Sequence, residues 1–511
     1  MINKFKSKSN LNRFLFLTFI IASLSIISFI LFKYPHMGVA DQGDFDRVMN
    51  ASGISLLDSD KNNPNFVRFY NYIVTDYTIS DFPETILGIT TESSVSILIL
   101  IVSIFCKLFN NSIFRTEYLA IAYSIIYILS ITMILKYLNI KNSLKLTFIG
   151  ILSLFVLFDG NYIIWFNSFY GEPMMLSSLL LLIASILYYI NYRYVKNKTN
   201  KIMSKIVYIL LASLLFLTSK MQVITTIPFL LILLIKIILD NKKFLSKKKF
   251  VSLIVILVLV ILHPLSINSF NGSISNDTQY NSVFYGILNG SKTPKQDLID
   301  LGLNPDMASE AGKHSYLDHD KYVKYIPKSE ITNEEFYSKM SNSKLAKFYL
   351  THPVRLIQGM QYTASKAFYT STVLGKTSID YSTEPTIKFN RFTFWSDFRE
   401  NYLPKNLLFI ISTFLLIFIY TFYLYIRNKN NEELKNKVFL IWTIMFIAAI
   451  QFPMPFVGNG RADTAKQLFL FNFIFDILLI LIAYYIFSKI LTLYKLCCSR
   501  KFKFFRKKLF Y

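Results

Sequence analysis

Residues 94–109 read SVSILILIVSIFCKLF, and whether this run crosses a membrane decides the side on which every later loop falls. Similar apolar runs recur at about 14–32, 118–136, 144–158, 174–192, 204–219, 223–239, 250–267, 406–426, 438–453 and 466–487. Of the 511 residues, 53% are hydrophobic and 17% are charged. The runs are not broken every three or four positions by polar residues, as an amphipathic helix of a soluble domain would be. Several, such as 14–32 and 407–426, carry no charge and approach the roughly 20 residues that span about 30 Å of hydrocarbon. The expected fold is an all-α polytopic membrane protein.

Charge fixes the count. If all eleven runs cross, the lysine-rich loops at Lys196, Lys198 and Lys201 and at Lys242, Lys243, Lys247, Lys248 and Lys249 fall outside, against the positive-inside rule. So does the tail with Arg500, Lys501, Lys503, Arg506, Lys507 and Lys508. Laying 94–109 along the outer surface corrects every loop at once. That run is short and ends in Cys106-Lys107 and the turn-like Asn110-Asn111. About ten spans remain, with both termini inside, and the only acids of the interior loops are Asp240, Glu432 and Glu433. The first exterior loop, 33–93, is the reverse, with Asp41, Asp44, Asp46, Asp58, Asp60, Asp76, Asp81, Glu84 and Glu92. The N-terminal run follows Lys4, Lys6, Lys8 and Arg13; it is too long for a signal-peptide core and reads as the first span.

Three parts follow. Residues 1–267 form a transmembrane module of seven spans with the exterior loop 33–117; 268–404 form an exterior domain; 405–511 hold three spans and a basic cytoplasmic tail. Helical patterns in the exterior domain are strong at 333–349 and 353–369, and the segment is long enough to bury a small core. Thr351-His352-Pro353 predicts a helix start with Thr351 as cap and Pro353 in the first turn. His263-Pro264 marks the end of the seventh span, and Pro228 and Asp476 interrupt two others.

The net charge of +24 lies in short loops between apolar runs, which fits helix orientation and not nucleic-acid binding. The three cysteines, Cys106, Cys497 and Cys498, give neither a disulfide framework nor a zinc-binding CxxC pair. The five histidines have no ligand spacing, and Asn271-Gly272-Ser273 is a chance glycosylation triplet in a chain of bacterial composition.

The candidate chemistry lies in the exterior loops. Asp41, Asp44 and Asp46 crowd just after the first span, with Arg47 three residues beyond Asp44 on the same helix face. Carboxylates packed against low-dielectric surroundings have raised pKa values, which suits a general base; the plain alternative is an acidic solvated loop. Glu172 stands between Phe169-Tyr170-Gly171 and Pro173 at the start of the next run, where a helix N-terminus also favours a carboxylate for structural reasons alone. Lys220, with Gln222, sits in a four-residue turn with nothing obvious to pair with. Arg461, Asp463 and Lys466 follow the glycines Gly458 and Gly460. Cations outside run against the inside rule, so a phosphate or simply lipid headgroups would offset them.

The arrangement resembles the GT-C superfamily of integral-membrane glycosyltransferases. These share an acidic motif in the first exterior loop, surface-lying helices before the second span and a second acidic position in the next exterior loop. More narrowly it resembles bacterial surface-glycan hexose transferases of the WsfD type. The match rests on Gly43-Asp44-Phe45 with Arg47, Phe169-Tyr170-Gly171-Glu172-Pro173, Ser219-Lys220 with Gln222, and Asn281-Ser282-Val283-Phe284-Tyr285-Gly286. It continues through Leu301-Gly302-Leu303, Phe348-Tyr349 with His352-Pro353, and Asp463 to Asn472. Gln467 stands where the family has a histidine.

The resemblance implies an inverting hexosyltransferase that moves a hexose from a polyprenyl-phosphate donor to a cell-surface glycan acceptor at the outer face of a bacterial membrane. Asp44, or Asp41, would be the base. Glu172 would orient the acceptor or share a divalent cation with Asp44, a cofactor left open. Arg47, Lys220, Gln222, Arg461, Asp463, Lys466 and Tyr285 would bind substrate. The rivals are a polymerase or ligase using lipid-diphosphate glycans, a lipid-linked-sugar flippase, for which Asp476 speaks, and a noncatalytic assembly protein.

Overall fold

The computed structural model describes residues 2–80, 93–109, 111–270 and 275–508. Of the residues named above, Asp81, Glu84, Glu92, Asn110 and Asn271-Gly272-Ser273 lie outside them. So do the side chains of Lys4, Lys6, Lys8, Cys497, Cys498 and the basic tail. The chain is predominantly helical. In hydrocarbon a backbone must satisfy its own hydrogen bonds, and an uninterrupted apolar run does so as a helix.

Among the described residues, eight helices are long and apolar enough to cross a membrane: Leu11–Phe32, Thr116–Tyr137, Glu172–Val195, Met221–Asp240, Lys247–Ile267, Leu407–Arg427, Glu432–Asn459 and Phe469–Lys495. A ninth crossing is the pair Ser143–Leu157 and Gly160–Phe166, bent by 58°. Two features mark the bend. Asp159 caps the second helix by accepting from the Asn161 amide at 2.9 Å, and a side chain on Gly160 would lie 1.9 Å from the Arg391 carbonyl. The remaining expected span, Ile202–Leu217, is shorter, at 16 residues or about 24 Å of helix; it packs along Glu172–Val195 and returns the chain to the end where Lys220 meets Glu172. Ser94–Leu108, at 15 residues, is likewise a shorter apolar helix. The protein is a multi-pass membrane protein.

The helices differ in depth. In the most apolar stretch of Glu172–Val195, 89% of the residues are buried, against 17% in Leu407–Arg427, where Leu416, Ile419 and Leu408 are left exposed for lipid. The central helix packs against Thr116–Tyr137 and Ile202–Leu217. Its N-terminus therefore stands in the middle of the bundle end, and Glu172 with it.

One feature departs from a helical reading of the polar segments. Strands β1 (Ile54–Leu56), β2 (Asp76–Ile79) and β3 (Ile113–Arg115) form a small antiparallel sheet in that order, with Ser55 opposite Thr78 and Tyr77 opposite Phe114. The sheet ties the first polar loop to the residues just before the second long span. In the other polar segment, a separate core gathers Tyr280, Phe284, Leu298, Phe336 and Tyr349, closed by Phe456 from the far end of the chain. Ala364, Phe368 and Leu374 instead join the main core.

Several local expectations change. Thr351 ends the helix Asn342–Thr351, with its hydroxyl bonded back to the Lys347 and Phe348 carbonyls. His352 is the residue before the helix Pro353–Ser365. Pro228 lies in the first turn of Ile227–Asp240, where a missing N–H costs nothing. The helix Lys247–Phe270 runs on through Pro264.

Candidate functional site

The acidic stretch is positioned from both sides. Met37 accepts from Asn167 Nδ2 at 2.9 Å, and the Ala40 carbonyl accepts from the Tyr170 hydroxyl at 2.9 Å. The amides of Gly38 and Ala40 donate to the Lys376 and Gly375 carbonyls. A side chain at Gly38 would come within 2.6 Å of the Asn167 carbonyl, so only glycine permits this approach.

Asp41 and Asp44 then have different tasks. Asp41 is 3% exposed, and its Oδ1 accepts from the amides of Gly43, Asp44 and Phe45 at 2.7, 3.0 and 3.2 Å. It thereby closes the turn that leads into the helix Phe45–Ser52, of which Phe45 supplies the first N–H. Arg68 pairs with Asp41 at 2.8 Å and with Asp46 at 2.7 Å. Burial pushes the Asp41 carboxyl up, against the pull of those amides and of Arg68.

Asp44 is the open member. Its side chain is half exposed, and Oδ2 accepts from Lys466 Nζ at 2.8 Å. Burial works to raise its pKa, but Lys466, Lys220 and Arg47 outweigh it and leave the carboxyl below its ordinary value. The raised value expected of buried carboxylates thus holds for Asp41 and is corrected for Asp44, which faces cations. Arg47 is exposed and is the weakest of these influences; Lys466, not Arg47, is the close partner.

Glu172 and Lys220 meet directly, which corrects the expectation that Lys220 has nothing to pair with. Lys220 Nζ donates to Glu172 Oε1 at 2.6 Å. The contact is possible because a Cβ on Gly171 would meet the Ser219 carbonyl at 2.7 Å, so the two loops touch through their backbones. Glu172 is fully buried, and its Oε2 has no hydrogen-bond partner among the described residues.

The two pairs belong to one cluster. Burial opposes the charge of Lys466, but Asp44 and Glu172 raise its pKa, while Lys220 helps to lower that of Asp44. Lys466 also lies 4.3 Å above the Tyr170 ring, and burial, with Asp44, Asp41 and Glu172, raises the Tyr170 hydroxyl. Gln42 bonds both Asp463 (3.4 Å) and Lys466 (3.3 Å). Gln222 donates to Gln451 and to the Gln467 carbonyl, which fixes the 220 turn to the loop of Lys466. Four separate stretches of chain converge here.

Arg461 stands apart. Its Nη2 donates to the Asn289 carbonyl at 3.1 Å, and its guanidinium lies 5.0 Å over Tyr362. Among the described residues no carboxylate pairs with it, and its Nε has no partner. Tyr285 packs edge-on against His314, with ring centroids 5.3 Å apart. Asp44 and Glu172, the positions named for a shared cation, each carry a lysine instead. Among the described residues there is no group of three His, Cys, Asp or Glu with metal-binding geometry.

A family model described as the YfdI N-terminal transmembrane domain matches residues 2–507. The chain belongs to this family. No curated protein and no solved structure matches it. In this YfdI-type domain the sequence missed Arg68, although it is one of few cations in the acidic loop, and Gln42, Tyr170 and Gln451, whose residue types carry no signal of their own. It also missed that Asp476 is paired. Arg399, on the helix Phe394–Tyr402, reaches Asp476 Oδ2 at 2.5 Å, both fully buried.

Proposed function

We propose that this protein is a membrane glycosyltransferase that moves a hexose from a polyprenyl-phosphate donor to a cell-surface glycan acceptor at the outer face of a bacterial cell membrane. The observation that carries this reading is the convergence of Asp44–Lys466 with Glu172–Lys220 at one end of the bundle. Carboxylate and ammonium groups alternate there beside apolar helices on which a lipid tail can lie.

The chemistry follows from the parts. Asp44 takes the proton of the acceptor hydroxyl as its oxygen attacks the anomeric carbon. The bond from that carbon to the phosphate oxygen breaks, with inversion, and the lipid phosphate leaves. Lys220 and Arg461 face the charge that develops on the leaving oxygen. Glu172 holds Lys220 in place. Arg461, with no carboxylate to give up, takes the phosphate without breaking an ion pair. Asp41 is a positioning residue that sets the turn on which Asp44 rides. The flippase reading loses its main support, because the buried Asp476 is matched by Arg399 and Tyr162.

The test is purified protein in nanodiscs with undecaprenyl-phosphate-hexose and cell-surface glycan from a strain lacking the protein. Hexose transfer is expected from the wild type, and Asp44→Asn should lower it by about 10²–10⁴-fold at unchanged protein level. Transfer only from undecaprenyl-diphosphate-oligosaccharide would replace this reading with the polymerase or ligase.

A further inference from the structure

The charged cluster continues into a second surface with a different character. Asn281 is fully buried and holds two loops at once: its Nδ2 donates to Asn459 Oδ1 at 2.8 Å, and its Oδ1 accepts from the Ser315 amide at 2.7 Å. One loop carries Arg461 and Asp463; the other carries His314 and Tyr316. Gly460, at φ +60°, lies where any side chain would come within 2.2 Å of the Asn281 carbonyl, and a Cβ on Gly286 would meet the Gly460 Cα at 2.9 Å. Tyr285 is thereby set beside the Arg461 turn.

The result is a row of rings. Tyr285 and His314 are in edge contact, His314 and Tyr316 follow with centroids 6.0 Å apart, and Tyr362 lies under the Arg461 guanidinium. Tyr316 is 58% exposed. From Arg461 the row leads through Asp463 and Gln42 to Lys466 and Asp44. These rings sit on the segment with its own core, and Tyr316 is exposed at its surface.

We infer that Tyr285, His314, Tyr316 and Tyr362 form a binding site for the sugar rings of the acceptor glycan, leading its free hydroxyl to Asp44. This rests on the transferase reading above and adds where the acceptor lies. The C–H face of a pyranose ring is apolar and flat, its rim is all hydroxyl, and tyrosine offers a ring face with a polar edge to match both. Asp463 beside the rings supplies an acceptor for the rim hydroxyls. A donor sugar has no need of this row, because its lipid tail keeps it against the bundle.

Full-length protein in nanodiscs is titrated separately with two probes: lipid-free cell-surface glycan from a strain lacking the protein, followed by saturation-transfer NMR, and undecaprenyl phosphate. Tyr316→Ala and Tyr285→Ala should each weaken glycan binding about tenfold, Tyr316→Phe should retain it, and undecaprenyl phosphate should bind all variants alike. Unchanged glycan affinity in both alanine variants, no glycan binding by the wild type, or a loss confined to undecaprenyl phosphate would each overturn the site. Glycan binding that depends on the tyrosines in a protein that transfers no hexose would instead remove the transferase reading and leave this site standing.

Discussion

Lys466 Nζ lies 2.8 Å from Asp44 Oδ2 across 422 positions of sequence, and this pair joins the first polar loop to the last. Its electrostatics set the working range of Asp44. Burial would raise the carboxyl, and Lys466 is the largest influence that lowers it. If Asp44 is the base of the proposed transfer it must be deprotonated, so transfer would be lost as pH falls through the Asp44 pKa, with that limb below the ordinary carboxylate range. Lys466→Gln removes the lowering charge and leaves the burial, so the acid limb should move to higher pH. The pH profile of the transfer rate at saturating donor checks this; an unmoved limb would mean that Asp44 does not set it.

Asp41 and Asp44 should separate experimentally. Asp44 is half exposed with one partner, so Asp44→Asn should change stability by no more than about 0.5 kcal/mol. Asp41→Ala removes three amide contacts and leaves Arg68 with Asp46 alone. A lost cap costs about 1 kcal/mol, and the exposed amides add to that. Thermal unfolding in detergent should therefore show a lower Tm for Asp41→Ala and not for Asp44→Asn. Equal shifts would contradict the division between a cap and an open carboxylate.

How much of this was legible beforehand depends on whether a signal is local. The membrane helices were, because each apolar run is contiguous and hydrocarbon leaves a backbone few alternatives. The candidate residues Asp44, Glu172, Lys220 and Lys466 were legible as charges placed near membrane ends. Their pairing was not, because it depends on the helix Glu172–Val195 being central and on Gly171 letting the 219 turn approach. The sheet of Ile54–Leu56, Asp76–Ile79 and Ile113–Arg115 escaped notice because strands of three or four residues carry too little alternation to register. Thr351 failed as a cap because its hydroxyl finds the preceding turn's carbonyls first. Asp476 looked like a transport signal because its partner, Arg399, lies in a different helix, 77 positions away.

That buried pair should be costly to break. Arg399 also donates to the Phe368 carbonyl at 3.0 Å and to Thr370 at 2.6 Å, and Asp476 accepts from Tyr162 at 2.7 Å. Removing one charge leaves the other uncompensated, which costs about 3–5 kcal/mol. Arg399→Met and Asp476→Ala should each lower the Tm far more than Asp44→Asn does, and the double replacement should recover part of the loss. Additive single effects would show that the two charges are not coupled.

Lys376 sets a test of stability against pH. It is 2% exposed, its ammonium donates to the Thr372 hydroxyl at 2.9 Å and to two backbone carbonyls, and burial pushes its pKa down to about 7 from an ordinary 10.5. Between those values the unfolded chain holds the proton more tightly than the folded one, so stability rises with pH across that window. The gain is at most about 4–5 kcal/mol, less to the extent that the three acceptors favour the charged form. Its backbone carbonyl holds Gly38 in register, so loosening here passes directly to the turn of Asp41 and Asp44. The Tm of the wild type should climb from pH 7 to pH 10 relative to that of Lys376→Met, which has no proton to lose. Parallel curves would mean that Lys376 titrates in the folded protein as it does in water.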